Sequence, residues 1–190
     1  MKIIKNPSNE NIQEAIKVLA NGGVVLYPTD TVYGLAANIF NKKAVKRIYE
    51  IKKRSRFKPL SILVSDTEAI SKVAYLSQAD KSIIDTYLPG PYTFILKKTS
   101  AVPLTVTSGL KQVGVRVPDN DIARNLASIF PITTTSANIS NKEILSTPKD
   151  ILNQLNSEID LVLDVGPLDS SSPSTLIDLT EKQPNILKRW

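Results

Sequence analysis

The sequence predicts one α/β domain over residues 1–190, and three observations carry that expectation. Hydrophobic residues make up 42% of the 190, enough for a substantial buried core. Short β-branched runs alternate with segments of helical spacing along the chain. No internal repeat, low-complexity tract or linker interrupts them.

Lys2–Lys5 is the first expected strand. Between Ser8 and Asn21, Ile12, Ile16 and Leu19 recur at helical spacing, with Ser8 as N-cap and Gly22-Gly23 as the stop. Val24–Tyr27 reads as a buried strand ending at Pro28. The loop after it, Pro28–Leu35, sets three hydroxyl-bearing side chains and one carboxylate in six residues past a strand end, where open α/β sheets bind ligands. Leu35–Phe40 is a further strand, and Asn41 caps a helix in which Val45, Ile48 and Tyr49 share a face. That helix delivers Lys52–Leu60, with five cations in seven residues, and the strand Leu60–Val64 follows.

Asp66 and Ser77 read as N-caps of helices ending near Tyr75 and Leu88. Pro89-Gly90-Pro91 turns the chain into the strand Tyr92–Leu96. Thr99–Leu110, polar and weakly patterned, is expected to be a long loop with a mobile tip. Val113–Pro118 is a strand carrying Arg116 among valines, a charge that needs a partner. Asp119 is the expected cap of a helix with Ile122, Leu126 and Phe130 on one side. Pro131–Thr135 returns as a strand and opens into the loop Ser136–Asn141. Thr147, with Pro148 in the first turn, starts a helix running to about Asn156. Leu161–Leu163, Ser174–Leu179 and Asn185–Lys188 complete the strands before Trp190, with three consecutive serines in the loop Gly166–Pro173.

No apolar run is long enough to span a bilayer and the first residues lack a signal peptide's pattern, so a cytoplasmic location is expected. The absence of cysteine fits that compartment. The absence of histidine excludes a Ser-His-Asp triad, a Cys-His pair and a Cys/His zinc site. An enzyme of this composition works with Lys, Arg, carboxylates, hydroxyls and amides, with a hard metal such as Mg²⁺ held largely by substrate phosphates. Phosphoryl or nucleotidyl transfer fits that set. The net charge of +6, from 24 basic and 18 acidic residues, points to anionic ligands without choosing among nucleotide, tRNA and lipid.

Three features concentrate the chemistry: the hydroxyl loops Thr29–Thr31, Ser136–Ser140 and Ser170–Thr175, the basic stretch, and Arg116. Each has a bland reading, as turn formers and caps, a solvated face or nucleic-acid patch, and a structural salt bridge. Together they are more informative, since hydroxyls and amides orient a polar ligand while Lys and Arg hold its anionic groups.

Six motifs carry a resemblance. Pro28-Thr29-Asp30-Thr31-Val32-Tyr33-Gly34-Leu35, Lys52-Lys53-Arg54 with Lys58-Pro59-Leu60, Pro89-Gly90-Pro91-Tyr92-Thr93, Val115-Arg116-Val117-Pro118, Thr135-Ser136-Ala137-Asn138 and Pro173-Ser174-Thr175-Leu176-Ile177-Asp178 stand in the order seen in the YrdC-like family, which the chain resembles over nearly its whole length. The resemblance implies a twisted mixed β-sheet flanked by helices around a basic concave cavity. It also implies L-threonylcarbamoyladenylate synthase activity, a nucleotidyl transfer in which L-threonine, bicarbonate and ATP give threonylcarbamoyl-AMP and pyrophosphate. The product serves threonylcarbamoylation of tRNA through a partner transferase. Carried over by position, Lys52 and Arg54 are the expected catalytic pair. With Lys58, Ser136 and Asn138 they bind ATP, which enters with Mg²⁺ and with no metal site on the protein. Thr31, Arg116, Thr134 and Ser174 fall where the family contacts threonine, with Arg116 on its carboxylate.

Some positions depart from the pattern. Leu63 lies in the strand where members often have histidine, Asn141 stands where glycine is common, and Lys188 where arginine is common. The extra C-terminal domain of longer members is not expected here, so any lid function is expected to fall to a loop. The wording Lys58–Val64 and Pro91–Phe94 also resembles the YciO-like branch. The rival expectation is a YrdC-like or YciO-like module that binds RNA or nucleotide without synthase activity, with weak binding of tRNA or double-stranded RNA on the basic face.

Overall fold

The computed structural model describes residues 1–169, 172–181 and 183–187. Their elements run β1 (Lys2–Lys5), α1 (Asn9–Ala20), β2 (Val25–Tyr27), β3 (Gly34–Ala36), α2 (Lys42–Ile51), β4 (Ser61–Leu63), α3 (Ile70–Val73), α4 (Gln78–Tyr87), β5 (Tyr92–Lys97), α5 (Leu104–Thr107), β6 (Gln112–Arg116), α6 (Asp121–Leu126), β7 (Ile132–Thr134), α7 (Pro148–Leu155), β8 (Leu161–Asp164), β9 (Thr175–Asp178) and β10 (Asn185–Leu187). Ser170, Ser171, Lys188 and Trp190, named above, lie outside the described residues.

Local chemistry sets most of the boundaries. Ser8 and Ser77 close capping boxes with Asn11 and Asp80 at the starts of α1 and α4. Asn41 and Thr147 accept from the backbone amides of Ala44 and Asp150 at the starts of α2 and α7.

The strands form two mixed sheets, β1-β8-β2-β3 and β10-β9-β5-β6-β4-β7. Their edges meet where β3 faces β7. There Leu35 N–H donates to the Thr135 carbonyl at 3.0 Å and Ala137 N–H to the Tyr33 carbonyl at 2.8 Å. Next along the seam, toward Ala37, the Thr133 hydroxyl intrudes, accepting from Ala37 N–H and donating to the Leu35 carbonyl. A side chain in the ladder therefore splits the expected single sheet in two. It also limits the expected strand Leu35–Phe40 to β3 plus a lone bridge from Asn38 to Ile132.

Each face of this double sheet is covered. On one side α1 and α6 pack Ile12, Ile16, Leu19, Ala123 and Leu126 against Val25, Leu161 and Leu163. On the other, α2 and α7 pack Val45, Ile48, Ile151 and Leu155 against Leu26, Leu35, Ile62 and Val162. Leu63 is buried in the first of these clusters.

Three local expectations are corrected. Thr99–Leu110 holds the helical turn α5, anchored by buried Val102 and Val106, and the Val106 carbonyl accepts from Leu60 N–H at 2.9 Å. The cap of α6 is Asn120, whose side chain accepts from Ala123 N–H, and not Asp119. Asp66 bonds Ala69 N–H and forms a turn, while α3 stops at Val73 because Ala74 becomes extended and bridges to Lys98.

Candidate active site: a neutralised recess opening into a basic cavity

At the seam of the sheets a small recess is lined by Thr29, Tyr33, Gly34, Ser61, Thr93, Arg116, Thr134 and Ser174, among others, and encloses about 20 Å³. That is room for about one water-sized group. It shares Ser61, Thr134, Thr135, Ser136 and Pro173 with an outer cavity of about 570 Å³.

Arg116 ends β6 inside the recess with only 4% of its surface exposed. Its Nη2 donates to Asp30 Oδ1 at 2.5 Å and its Nη1 to Thr31 Oγ1 at 2.9 Å. The charge expected to await a ligand carboxylate therefore already has a protein partner, 86 residues earlier in the chain. Arg116 Nε and Asp30 Oδ2 are buried and have no hydrogen-bond partner among the described residues. Burial lowers the Arg116 pKa, and Asp30 opposes that shift. Thr31 lines neither cavity; its hydroxyl is 3.0 Å from that of Thr29, behind the guanidinium.

Three further recess hydroxyls, those of Ser174, Thr93 and Thr134, are also paired. Ser174 Oγ lies 2.7 Å from Thr93 Oγ1, and Thr134 Oγ1 accepts from the Tyr27 hydroxyl at 3.1 Å. Burial pushes that phenol up to about 12, so it stays a donor. Gly34 makes this packing possible: a Cβ there would stand 2.8 Å from the Tyr27 ring.

Lys52, Arg54, Lys58 and Lys142 line the outer cavity, and no carboxylate does among the described residues. Lys52 is 1% exposed, and its ammonium donates to the carbonyls of Ser136 and Asn138 and to Asn138 Oδ1. All three of its N–H donors thus hold the loop that leaves β7. Burial, aided by nearby Arg54, lowers the Lys52 pKa to about 7, while its three oxygen partners favour the charged form. Asn138 passes the connection on, accepting from the Ser136 hydroxyl at 2.7 Å and donating to the Lys142 carbonyl at 2.7 Å. Asn141, where glycine is common in the family, takes a left-handed backbone at φ 67°, a conformation asparagine tolerates.

Arg54 folds back on its own loop, donating to the carbonyls of Lys58 at 3.2 Å and Pro59 at 2.8 Å. Arg56 pairs with Glu50 at the exposed surface and Lys53 is exposed. Ile95, Leu110, Val113, Leu176 and Leu187 add apolar surface to the same cavity.

Lys52, Arg54, Lys58, Ser136 and Asn138 thus share the outer cavity, while Arg116, Thr134 and Ser174 share the recess. Sequence reasoning missed Asp30, Thr93, Tyr27 and Lys142. Lys142 had a local signal, standing just past the Ser136–Asn141 loop. Asp30 and Thr93 each sit inside a quoted motif but owe their role to a partner far away in the chain.

A family model described as "Telomere recombination", covering the Sua5, YciO and YrdC proteins, matches residues 17–189. A Methanocaldococcus jannaschii protein provisionally named threonylcarbamoyl-AMP synthase is 46% identical over 165 residues, covering 87% of this chain and 78% of the relative. The structure is similar to Pyrococcus abyssi Sua5 complexed with L-threonine, at a TM-score of 0.91 and 34% identity, over 98% of this chain and 56% of that one. It is also similar to Escherichia coli YciO, at a TM-score of 0.89 and 32% identity, over 98% and 93%. Motif order, fold and these matches agree: the chain belongs to the Sua5–YciO–YrdC family.

Proposed function

We propose that the chain acts as a single cytoplasmic YrdC-like domain that makes threonylcarbamoyl-AMP and pyrophosphate from L-threonine, bicarbonate and ATP. The observation that carries this reading is the confluence of two unlike spaces, a recess headed by Arg116 and a larger cavity lined, among the described residues, by four cations and no carboxylate. An amino acid and a nucleoside triphosphate can meet where the two spaces share Ser61, Thr134 and Ser136. The names of the Methanocaldococcus and Pyrococcus proteins, and the latter's complex with L-threonine, support the same assignment.

In this reading the threonine carboxylate enters the recess toward Arg116, whose Nε has a donor to offer. Thr134 and Ser174 order the amino-acid end, and the rest of the molecule reaches into the outer cavity because the recess admits only a head group. The threonine amine attacks bicarbonate carbon, giving a carbamate and water. A carbamate oxygen then forms a bond to the α-phosphorus of ATP as the bond to the bridging oxygen breaks and pyrophosphate leaves. No side-chain nucleophile is needed.

Alignment and charge neutralisation do the work. Arg54, Lys58 and Lys142 supply positive charge to the polyphosphate. Lys52, its donors committed to the loop, holds Ser136 and Asn138 at the junction and adds its charge to the field. Mg²⁺ arrives on the ATP phosphates, since among the described residues no carboxylate lines the cavity to hold it. The product goes to a separate transferase acting on tRNA. The test is pyrophosphate release from ATP, Mg²⁺ and bicarbonate with and without L-threonine. Threonine-dependent release and an AMP adduct are expected; RNA binding with steep salt dependence and no adduct would favour the binding-module rival.

A further inference from the structure

Arg116 is a buried cation, and the recess it heads would carry a full positive charge were it not for Asp30. The two are joined through Nη2 and Oδ1 at 2.5 Å, with side-chain exposures of 5% and 12%. A plain anion hole would gain from an unpaired arginine, yet this one is neutralised in advance. The pairing is also incomplete in a particular way. Nε of Arg116 is a buried donor without an acceptor, and Oδ2 of Asp30 is a buried acceptor without a donor, among the described residues. The two orphaned atoms, of opposite polarity, sit on one ion pair. No acidic side chain lines either cavity among the described residues, so Asp30, directly behind Arg116, is the negative charge bonded to the recess's own cation.

From this we propose that Asp30 is a specificity-determining residue, which makes the recess select a zwitterionic α-amino acid over a simple carboxylate anion. The inference rests on the synthase reading above and names the feature that sets its amino-acid selectivity. An uncompensated Arg116 would attract any carboxylate. With Asp30 behind it, the recess has no net charge and presents a dipole. A lone carboxylate gains from the guanidinium and is repelled by Asp30, whereas the positive ammonium of an amino acid is attracted by the Asp30 charge through space and offsets that repulsion. Asp30 does not line the recess, so it acts through its charge and through its hold on Arg116. A buried polar site rejects an analogue that lacks the matching group far more strongly than an apolar one does.

The test is a calorimetric titration of the wild-type chain and of Asp30→Asn with L-threonine and with 3-hydroxybutanoate of the same C3 configuration, which lacks only the ammonium. The wild type is expected to favour threonine by at least about tenfold, and Asp30→Asn to shrink that ratio by about tenfold. A general loss of folding would lower both affinities together and leave the ratio alone. Asp30→Glu, which keeps the charge, is expected to hold the wild-type ratio within about threefold and carries the test if the Asn variant does not fold. Threonine binding with a ratio unchanged in Asp30→Asn, or a ratio collapsed in a folded Asp30→Glu, overturns the inference while leaving the synthase reading standing. No threonine binding to the wild type would remove the synthase reading, and this inference with it.

Discussion

The recess and the outer cavity are joined, and both are headed by buried or half-buried basic groups, yet they treat charge in opposite ways. In the recess Arg116 is paired with Asp30 and braced by Thr31. In the outer cavity, among the described residues, four cations face no lining carboxylate, and the arginine and the buried lysine are tied only to neutral oxygens. A neutralised arginine reads geometry, because a ligand gains from it only by fitting beside its existing partner. Cations without counter-charges read charge, and they gain most from a ligand that brings several negative groups at once. One space suits choice among small acids; the other suits attraction of a polyanion.

That contrast is open to direct attack. The largest effect is expected from Arg116→Ala, which leaves Asp30 partly buried without its counter-ion. It should cost about 3–5 kcal/mol of stability and raise the threonine requirement more than the ATP requirement. Denaturant titration and the two Michaelis constants check it, and a larger effect on ATP would mean the two spaces have exchanged roles.

Arg54→Ala comes next. It should cut turnover by about a hundredfold, roughly 2.7 kcal/mol, through loss of charge at the leaving group. Pyrophosphate release at saturating threonine measures it, and unchanged turnover would leave the outer cavity's cations without a part in the chemistry.

Gly34→Ala attacks the seam between the two spaces. Its methyl group would meet the Tyr27 ring at 2.8 Å and displace the hydroxyl that donates to Thr134. A loss of about 1–3 kcal/mol is expected from thermal unfolding.

The smallest effect concerns Lys52. Its pKa is lowered to about 7 from 10.5, so above pH 7 the unfolded chain holds more protons at this position than the folded one. Its contribution to stability therefore rises with pH between about 7 and 10.5, by about 1 kcal/mol from pH 7 to pH 8. Unfolding curves of wild type and Lys52→Met at those two pH values should differ in slope by that amount. Equal slopes would mean that the loop's oxygens keep the ammonium charged.

Legibility followed the range of the interaction. The caps Ser8, Asn41, Ser77 and Thr147 were readable because each bonds an amide three residues on. The turn α5 was not, since four residues carry too little periodicity to separate it from a loop. The shift from Asp119 to Asn120 is a choice between adjacent residues that cap almost equally well. The cation density of the stretch from Lys52 to Lys58 was readable from spacing, whereas the choice of Lys52, Arg54 and Lys58 within it, and their company with Ser136 and Asn138, came from the resemblance to the family. The different work of Lys52 and Arg54 was not, because it depends on where the carbonyls of Ser136, Asn138, Lys58 and Pro59 point.

By itself the sequence determined the order of elements, the absence of histidine and cysteine chemistry, and the density of cations before β4, because composition and short-range pattern decide these. Tertiary structure alone decided that Arg116 would be neutralised by Asp30 while Arg54, Lys58 and Lys142 were left to face the cavity. Asp30 and Arg116 are brought together only when the loop after β2 and the end of β6 converge at the seam, where burial makes an unpaired charge costly and a paired one selective.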